Sequence, residues 1–290
     1  MILYIILGIL LCFIVFCILV YFENKKLRVT EYHVTSSRLP DAFAGYRIAH
    51  LTDLHSNIYG KENQRLLDII NRSMPDCILI SGDMIIKNEA FDGTSTFRLL
   101  EILARKYPIY YAYGNHEKKL SLHDNVKQKE FMEYKKQLEA IGIVFLVDDS
   151  VIVGKDGDHI QITGIDLDLQ YYRKFRKQPL HPTTLVNQLP KQQLNCYQIL
   201  LAHNPIYFEE YANWNADLVL SGHVHGGMVI LPWVGGVIST QCLLFPKYDF
   251  GMFHIKHSTM ILSRGLGNHS IRLRFHNPAE VCLVILEKET

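Results

Sequence analysis

Five short polar motifs, each directly behind an apolar run, carry residue types from which metal centres are built. They are Asp53-Leu54-His55 after residues 48–51, Gly82-Asp83 after 78–80, Gly114-Asn115-His116-Glu117 after 109–113, Ala202-His203 after 199–201, and Gly222-His223-Val224-His225 after 218–220. Carboxylate, carboxamide and neutral imidazole are oxygen and nitrogen donors that suit Mn, Fe or Zn. Asp53 and His55 are two apart, as are His223 and His225. In extended backbone, residues at that spacing project to one side, so each pair is expected to aim two donors into one space. Glycines ahead of Asp83, Asn115 and His223 let the chain turn close to such a site. Asp53, His55, Asp83, Asn115, His203, His223 and His225 make seven candidate ligands, too many for one ion and about right for two. Two divalent ions about 3.5–4 Å apart can clamp a phosphoryl group and hold a hydroxide between them. A shared ligand must be anionic and bidentate, which makes Asp83 the candidate bridge. His116 has no role on this reading. Taken singly, Asp-x-His is usually a loop, Gly-Asp a turn, and His203 a packed histidine; the set in this order is what carries the metal reading. The other histidines (His33, His50, His123, His159, His181, His254, His257, His269 and His276) lack such support and are expected at the surface or in packing.

Ligand sites in α/β sheets gather beyond the carboxyl ends of strands, so the motifs predict one such edge. Strand-like runs lie at 47–51, 77–81, 109–113, 143–147, 159–163, 198–202, 218–221, 259–262 and 281–286. Helix-like runs lie at 62–72, 94–105, 126–140 and 205–212. Leu66, Leu67, Ile69 and Ile70, and likewise Phe131, Tyr134, Leu138 and Ile141, fit apolar helical faces. The alternation predicts a mainly parallel sheet covered by helices in the first half. The strand-rich second half predicts two sheets packed together with helices outside. Residues 171–189, YYRKFRKQPLHPTTLVNQL, break this rhythm. They read either as a solvated loop or as a cap over the site that touches a phosphate headgroup or a membrane surface.

The 290 residues carry 30 Lys+Arg against 29 Asp+Glu, a net charge of +1 that excludes nucleic-acid binding through bulk positive charge. With 48% hydrophobic and 20% charged residues, the chain is not disordered. Residues 1–22 contain no charged side chain, and about 20 apolar residues suffice to cross a bilayer as a helix. A basic start and a small-residue cleavage site are both missing, which argues against a cleaved signal. The expected organisation is a transmembrane anchor at 1–22, a linker and first strand at 23–45, and a catalytic domain at 46–290. Lys25, Lys26 and Arg28 behind the span place that domain in the cytoplasm by the positive-inside bias. The cysteines have no CxxC spacing, so neither a structural disulfide nor a thiolate metal site is expected.

The order of motifs from about Tyr46 onward resembles the calcineurin-like metallophosphoesterases. Within them the chain looks like the YkuE-like branch, which includes membrane-anchored members. The matching segments are GYRIAHLTDLH at 45–55, GHVHGG at 222–227, FPKYDFG at 245–251 and SRGLGN at 263–268. The resemblance implies a four-layer α/β fold, two mixed β-sheets packed as a sandwich and flanked by helices. It assigns Asp53, His55 and His225 to one metal, Asn115, His203 and His223 to the other, and Asp83 to both. It places His116 near the leaving oxygen, as a general acid or as a positive stabiliser. One departure is Met228, where relatives often carry Gln; that bears on substrate choice, not on metal binding.

The expected activity is hydrolysis of phosphoester bonds, as in a phosphodiesterase, or of pyrophosphate bonds, with two divalent ions (Mn, Fe or Zn) as cofactors. The anchor suggests a lipid-linked substrate, such as a UDP-diacylglucosamine-like molecule, and hence lipid metabolism. Expected partners are this phosphate ester and the membrane through residues 1–22, with no nucleic acid; the chain is expected to be a monomer. A rival reading is a catalytically silent scaffold that binds a partner through the same fold; such proteins usually lose ligands, and here all seven are present. A zinc peptidase is a third reading, but H-E-x-x-H is absent.

Overall fold

The computed structural model describes residues 1–86, 93–122, 126–268 and 273–289. His123 and His269 fall outside them. The chain opens with helix α1 (Ile2–Glu23), none of it buried, with a mean hydropathy of 3.3 over its most apolar stretch. It is long and apolar enough to cross a membrane. The first half then runs β1 (Leu27–Ser36), β2 (Arg47–Leu51), α2 (Gln64–Ser73), β3 (Cys77–Ile80), α3 (Thr94–Ala104), β4 (Ile109–Tyr111), α4 (Asn115–Ser121), α5 (Val126–Ala140) and β5 (Val144–Phe145). The second half runs β6 (Asp149–Lys155), β7 (Asp158–Gly164), α6 (Thr184–Gln188), β8 (Tyr197–Leu201), α7 (Phe208–Asn213), β9 (Leu218–Ser221), β10 (Ile230–Leu231), β11 (Gly235–Gly236), β12 (Gly251–Ile255), β13 (Ser258–Leu262) and β14 (Ala279–Lys288).

These strands form two six-stranded sheets, ordered β1-β14-β2-β3-β4-β5 and β12-β13-β9-β8-β7-β6, beside the small β10-β11 pair. In the first, β2 to β5 run parallel and β14 is antiparallel to β2. In the second, β13, β9, β8 and β7 run parallel, while β12 and β6 close the edges antiparallel. Strands buried on both faces need apolar residues at every position, which is why these runs are continuous and do not alternate with polar residues. Cys77 and Leu79 of β3 point between the sheets, against Ile199, Leu218 and Val284. Ile78 and Ile80 point outward onto Leu66, Leu99 and Phe131 of α2, α3 and α5. Leu200 and Val219 pack on the far side against Tyr207, Phe208 and Tyr211. The result is four layers: helices, sheet, sheet, helices.

Differences from the expected elements have local causes. The run at 62–72 begins as a 3-10 turn, Lys61–Asn63, because Glu62 and Asn63 take positive φ. The run at 205–212 divides into the 3-10 turn Pro205–Tyr207 and α7. The strand at 143–147 shortens to β5. Edge strands β6 and β12 were not expected, since a half-exposed edge is less apolar than the buried runs. Residues 171–189 begin in the second half of the 3-10 turn Leu169–Tyr172 and hold α6 near their end. Leu180, Leu185 and Leu189 are buried against the α7 side of the second sheet. Cys77, Cys196 and Cys282 are buried.

Candidate metal centre

The motifs occupy the carboxyl ends of β2, β3, β4, β8 and β9, so both sheets deliver side chains to one shared rim. Asp53, His55, Asp83, Asn115, His116, His203, His223 and His225 are all buried there. Three sets bring donor atoms within 4.8 Å of one another: Asp53, His55 and His225; Asp83, His203 and His223; and His55, Asp83 and His116. Asp53 Oδ1 lies 3.2 Å from His225 Nε2, 3.7 Å from His55 Nε2 and 3.8 Å from His203 Nε2. Asp83 Oδ2 lies 3.1 Å from His203 Nε2 and 4.0 Å from His116 Nε2. Asn115 begins α4 beside Asp83, whose Oδ1 accepts from the next amide, His116 N–H, at 2.8 Å. The His116 ring stands edge-on to His55 with centroids 4.9 Å apart.

The backbone route to this convergence differs from the pleated one expected. Asp53, His55, Asp83, His223 and His225 all have φ between 50° and 71°, the left-handed region that non-glycine residues rarely occupy. Each pair therefore lies beyond its strand end, and in the second pair two left-handed residues, His223 and His225, flank the right-handed Val224. Such residues cost on the order of 1–3 kcal/mol each and persist only where their surroundings over-determine them. The glycines serve close approach. A Cβ on Gly114 would stand 2.7 Å from Asp83 Cγ, and one on Gly222 would stand 2.9 Å from Thr52 Cγ2 and overlap Asp53.

The donors suit divalent cations. His203 Nδ1–H donates to Ser81 O at 2.9 Å and His225 Nδ1–H to Gly267 O at 3.2 Å, which turns both Nε2 lone pairs inward. His55 Nε2 and His225 Nε2 face each other at 3.1 Å, an arrangement that favours a cation between them. Asn115 Oδ1 and His223 Nε2 are buried and make no hydrogen bond. Burial raises the Asp53 and Asp83 carboxyls, but the surrounding imidazoles outweigh it and hold both below the usual carboxylate range. Burial pushes the His55 and His223 imidazoles well down, keeping them neutral and able to ligate. Burial also opposes protonation of His203, yet Asp83 and Asp53 prevail and lift it to about 9, so a cation entering the cage would take the place of a proton on Nε2. The two carboxylates thus draw positive charge into the cage.

Supporting residues were less visible in the sequence. Glu117 is buried, and its carboxylate accepts from Asp83 N–H at 2.8 Å, Met84 N–H at 3.0 Å, Gly114 N–H at 3.0 Å and Tyr111 O–H at 2.7 Å. It ties the Asp83 loop to the start of α4. Its signal was the capping-box position, three residues after Gly114. Thr240 Oγ1–H donates to His223 O at 2.7 Å and Asn277 Nδ2–H to His225 O at 2.7 Å. The buried Arg274 guanidinium donates to Gly265 O and Gly267 O, fixing the carbonyl that orients His225. Tyr172 stands edge-on to His223 at 5.1 Å, which brings the start of the 171–189 segment to the centre. The other described histidines contribute no ligand atom to the three sets. His50 Nε2 meets Ser81 Oγ at 2.8 Å, and burial lowers this histidine to about 3.

A double-sheet rim that gathers carboxylates and neutral imidazoles has the donor set of a metal-dependent hydrolase. The chain belongs to the calcineurin-like phosphoesterase family, which matches residues 46–227, and is a metallophosphoesterase, a metal-dependent hydrolase of phosphoester bonds. It is 27% identical to the uncharacterized metallophosphoesterase YkuE of Bacillus subtilis over 272 residues, 92% of this chain and 88% of that one. It is 26% identical to the phosphodiesterase YaeI of Escherichia coli over 241 residues, 80% of each chain. A transmembrane protein with metallophosphoesterase domain from Danio rerio is 24% identical over 90% of this chain and 57% of its own length.

Proposed function

We propose that this chain is a single-pass membrane enzyme that hydrolyses phosphoester or pyrophosphate bonds with two divalent ions, manganese among the candidates, and acts on substrates held at the membrane surface. The observation that carries the reading is the burial of three donor sets on one rim, linked in series through His55 and Asp83. Asp53, His55 and His225 would hold one ion, Asn115, His203 and His223 the other, and Asp83 both. When bound, the pair supplies Lewis-acid charge to the phosphoryl oxygens and acidifies a water. Ser81 O and Gly267 O keep the His203 and His225 tautomers fixed while charge redistributes. His116 stands beside Asp83 and outside the two ligand sets, where it can pass a proton to the departing oxygen or place positive charge against it. Phosphoryl transfer needs charge stabilisation more than a covalent nucleophile, so Ser and Cys have no part.

The anchor reading rests on α1, and Lys25, Lys26 and Arg28 behind it favour a cytoplasmic catalytic domain in a monomeric protein. A lipid-linked phosphate or diphosphate, such as a UDP-diacylglucosamine-like molecule, fits an enzyme held at the bilayer. The test is a panel of phosphomonoesters, phosphodiesters and pyrophosphates, soluble and lipid-linked, assayed with Mn²⁺, Zn²⁺ and Mg²⁺. Turnover highest for a lipid-linked member is expected. No turnover of any member by a chain loaded with two ions would contradict the reading and leave the scaffold alternative.

A further inference from the structure

Residues 228–245 form an apron on the metal-centre loop. β10 pairs with β11, Val237 N–H donates to Val229 O at 2.9 Å, and Phe245 N–H donates to Val237 O at 2.9 Å. Its root is fused to the site through Ile238 N–H to Gly227 O at 3.3 Å and Thr240 Oγ1–H to His223 O. Its free side exposes Leu231, Trp233, Val234, Leu244 and Phe245. Trp233, on the turn between β10 and β11, is fully exposed. Exposed apolar patches on a folded chain mark a contact surface, and a wet-edged aromatic such as Trp favours the layer between hydrocarbon and water.

Both flanks of the apron say what that surface meets. On one side Val229 bridges to Phe275, whose ring lies 5.4 Å from Phe16 of α1. Phe16 sits seven residues before the end of that helix at Glu23, about 10 Å along its axis. Where α1 crosses a bilayer, this flank is therefore level with the membrane and not with bulk water. On the other side Gln241 O accepts from Phe175 N–H at 2.8 Å, and Gln241 Nε2–H donates to Arg173 O at 3.2 Å. That neighbouring segment exposes Arg173, Lys174, Arg176 and Lys177 around Phe175. Cations clustered next to a membrane segment favour anionic headgroups.

We propose that the apron is a second membrane contact, in which Trp233 and its apolar neighbours enter the interfacial layer of the bilayer crossed by α1, while Arg173, Lys174, Arg176 and Lys177 engage anionic lipid headgroups. The proposal rests on the anchor reading and deepens it. Tyr172, adjacent in sequence to that basic segment, stands against His223, so the same contact sets the metal centre beside the headgroup layer.

The two tryptophans make the test direct, since Trp214 is 8% exposed and Trp233 fully so. The full chain is reconstituted in phosphatidylcholine–phosphatidylglycerol vesicles, with and without phosphatidylcholine brominated on its acyl chains. In the Trp214→Phe variant, brominated lipid is expected to quench emission at least about twofold, and aqueous acrylamide to quench it less than it quenches free N-acetyltryptophanamide in the same buffer. In Trp233→Phe, which keeps only the buried reporter, lipid quenching is expected to vanish; this variant serves also if Trp214→Phe does not fold. Emission insensitive to brominated lipid and open to acrylamide, in a chain that floats with vesicles after alkaline wash, overturns the apron contact alone. A chain that does not float overturns the anchor reading and the apron with it.

Discussion

Gly114→Ala isolates the geometric claim about the metal centre, because nothing in the backbone resists alanine there. Gly114 has φ −96° and ψ −174°, an extended conformation open to any residue. The new Cβ would stand 2.6 Å from Asp83 N and 2.7 Å from Asp83 Cγ, against ordinary contact at about 3.4 Å and beyond. Asp83 must therefore move by roughly 0.7 Å or more, and its loop is held by Glu117. Overpacking of this kind costs about 1–3 kcal/mol. A displacement near 1 Å at a reacting centre costs about 100-fold in rate. The expected variant folds, has a lower unfolding midpoint in urea, turns over bis(p-nitrophenyl) phosphate about 100-fold more slowly, and binds fewer than two ions by elemental analysis. Were Asp83 not packed on Gly114, alanine would stabilise the chain by about 0.4–1 kcal/mol through the unfolded state and leave the rate alone. That outcome would mean that Gly114 does not position Asp83.

Other perturbations separate the roles of neighbouring groups. His116→Ala is expected to keep both ions and lose rate, most for esters with poor leaving groups; elemental analysis showing metal loss would make it a ligand. Chelation should lower the unfolding free energy by roughly 4 kcal/mol relative to chain saturated about a thousandfold above Kd, as read from urea midpoints with and without EDTA. Burial raises Asp166 from 3.8 to about 6 despite its ion pair with Lys118 at 2.6 Å. The folded chain then holds this proton more tightly than the unfolded one, so the stabilisation is present below about pH 4 and lost as pH rises through 6. Asp166→Asn should gain about 3 kcal/mol relative to the parent between those limits, and parallel pH dependences of the two chains would count against the assignment.

The buried strands were legible because a run such as Cys77–Ile80, apolar at every position, fits only a sheet covered on both faces. The same runs announced where the polar motifs would emerge. The left-handed backbone at Asp53, Asp83 and His223 was not legible, since single residues in that conformation are imposed by the surrounding contacts and not by local preference. β6 and β12 were hidden by their exposed faces, and α4 by the chemistry of Gly114-Asn115-His116-Glu117, which drew the reading toward ligands and away from a helix start. Arg274 and Asn277 lie about fifty residues beyond the His225 loop that they brace, a distance over which no spacing rule operates. Trp233 and its neighbours match no motif or apolar run in the sequence; only the fold places them together, on a turn beside the metal loop.

The central claim is that seven side chains drawn from both sheets enclose a pair of cations joined by Asp83. Anomalous diffraction from crystals grown with Mn²⁺ tests it most directly. Two peaks are expected about 3.5–4 Å apart, one on each side of the Asp83 carboxylate, with Asp53, His55 and His225 around one and Asn115, His203 and His223 around the other. A single peak, or peaks that leave Asp83 bound to neither ion, would contradict it.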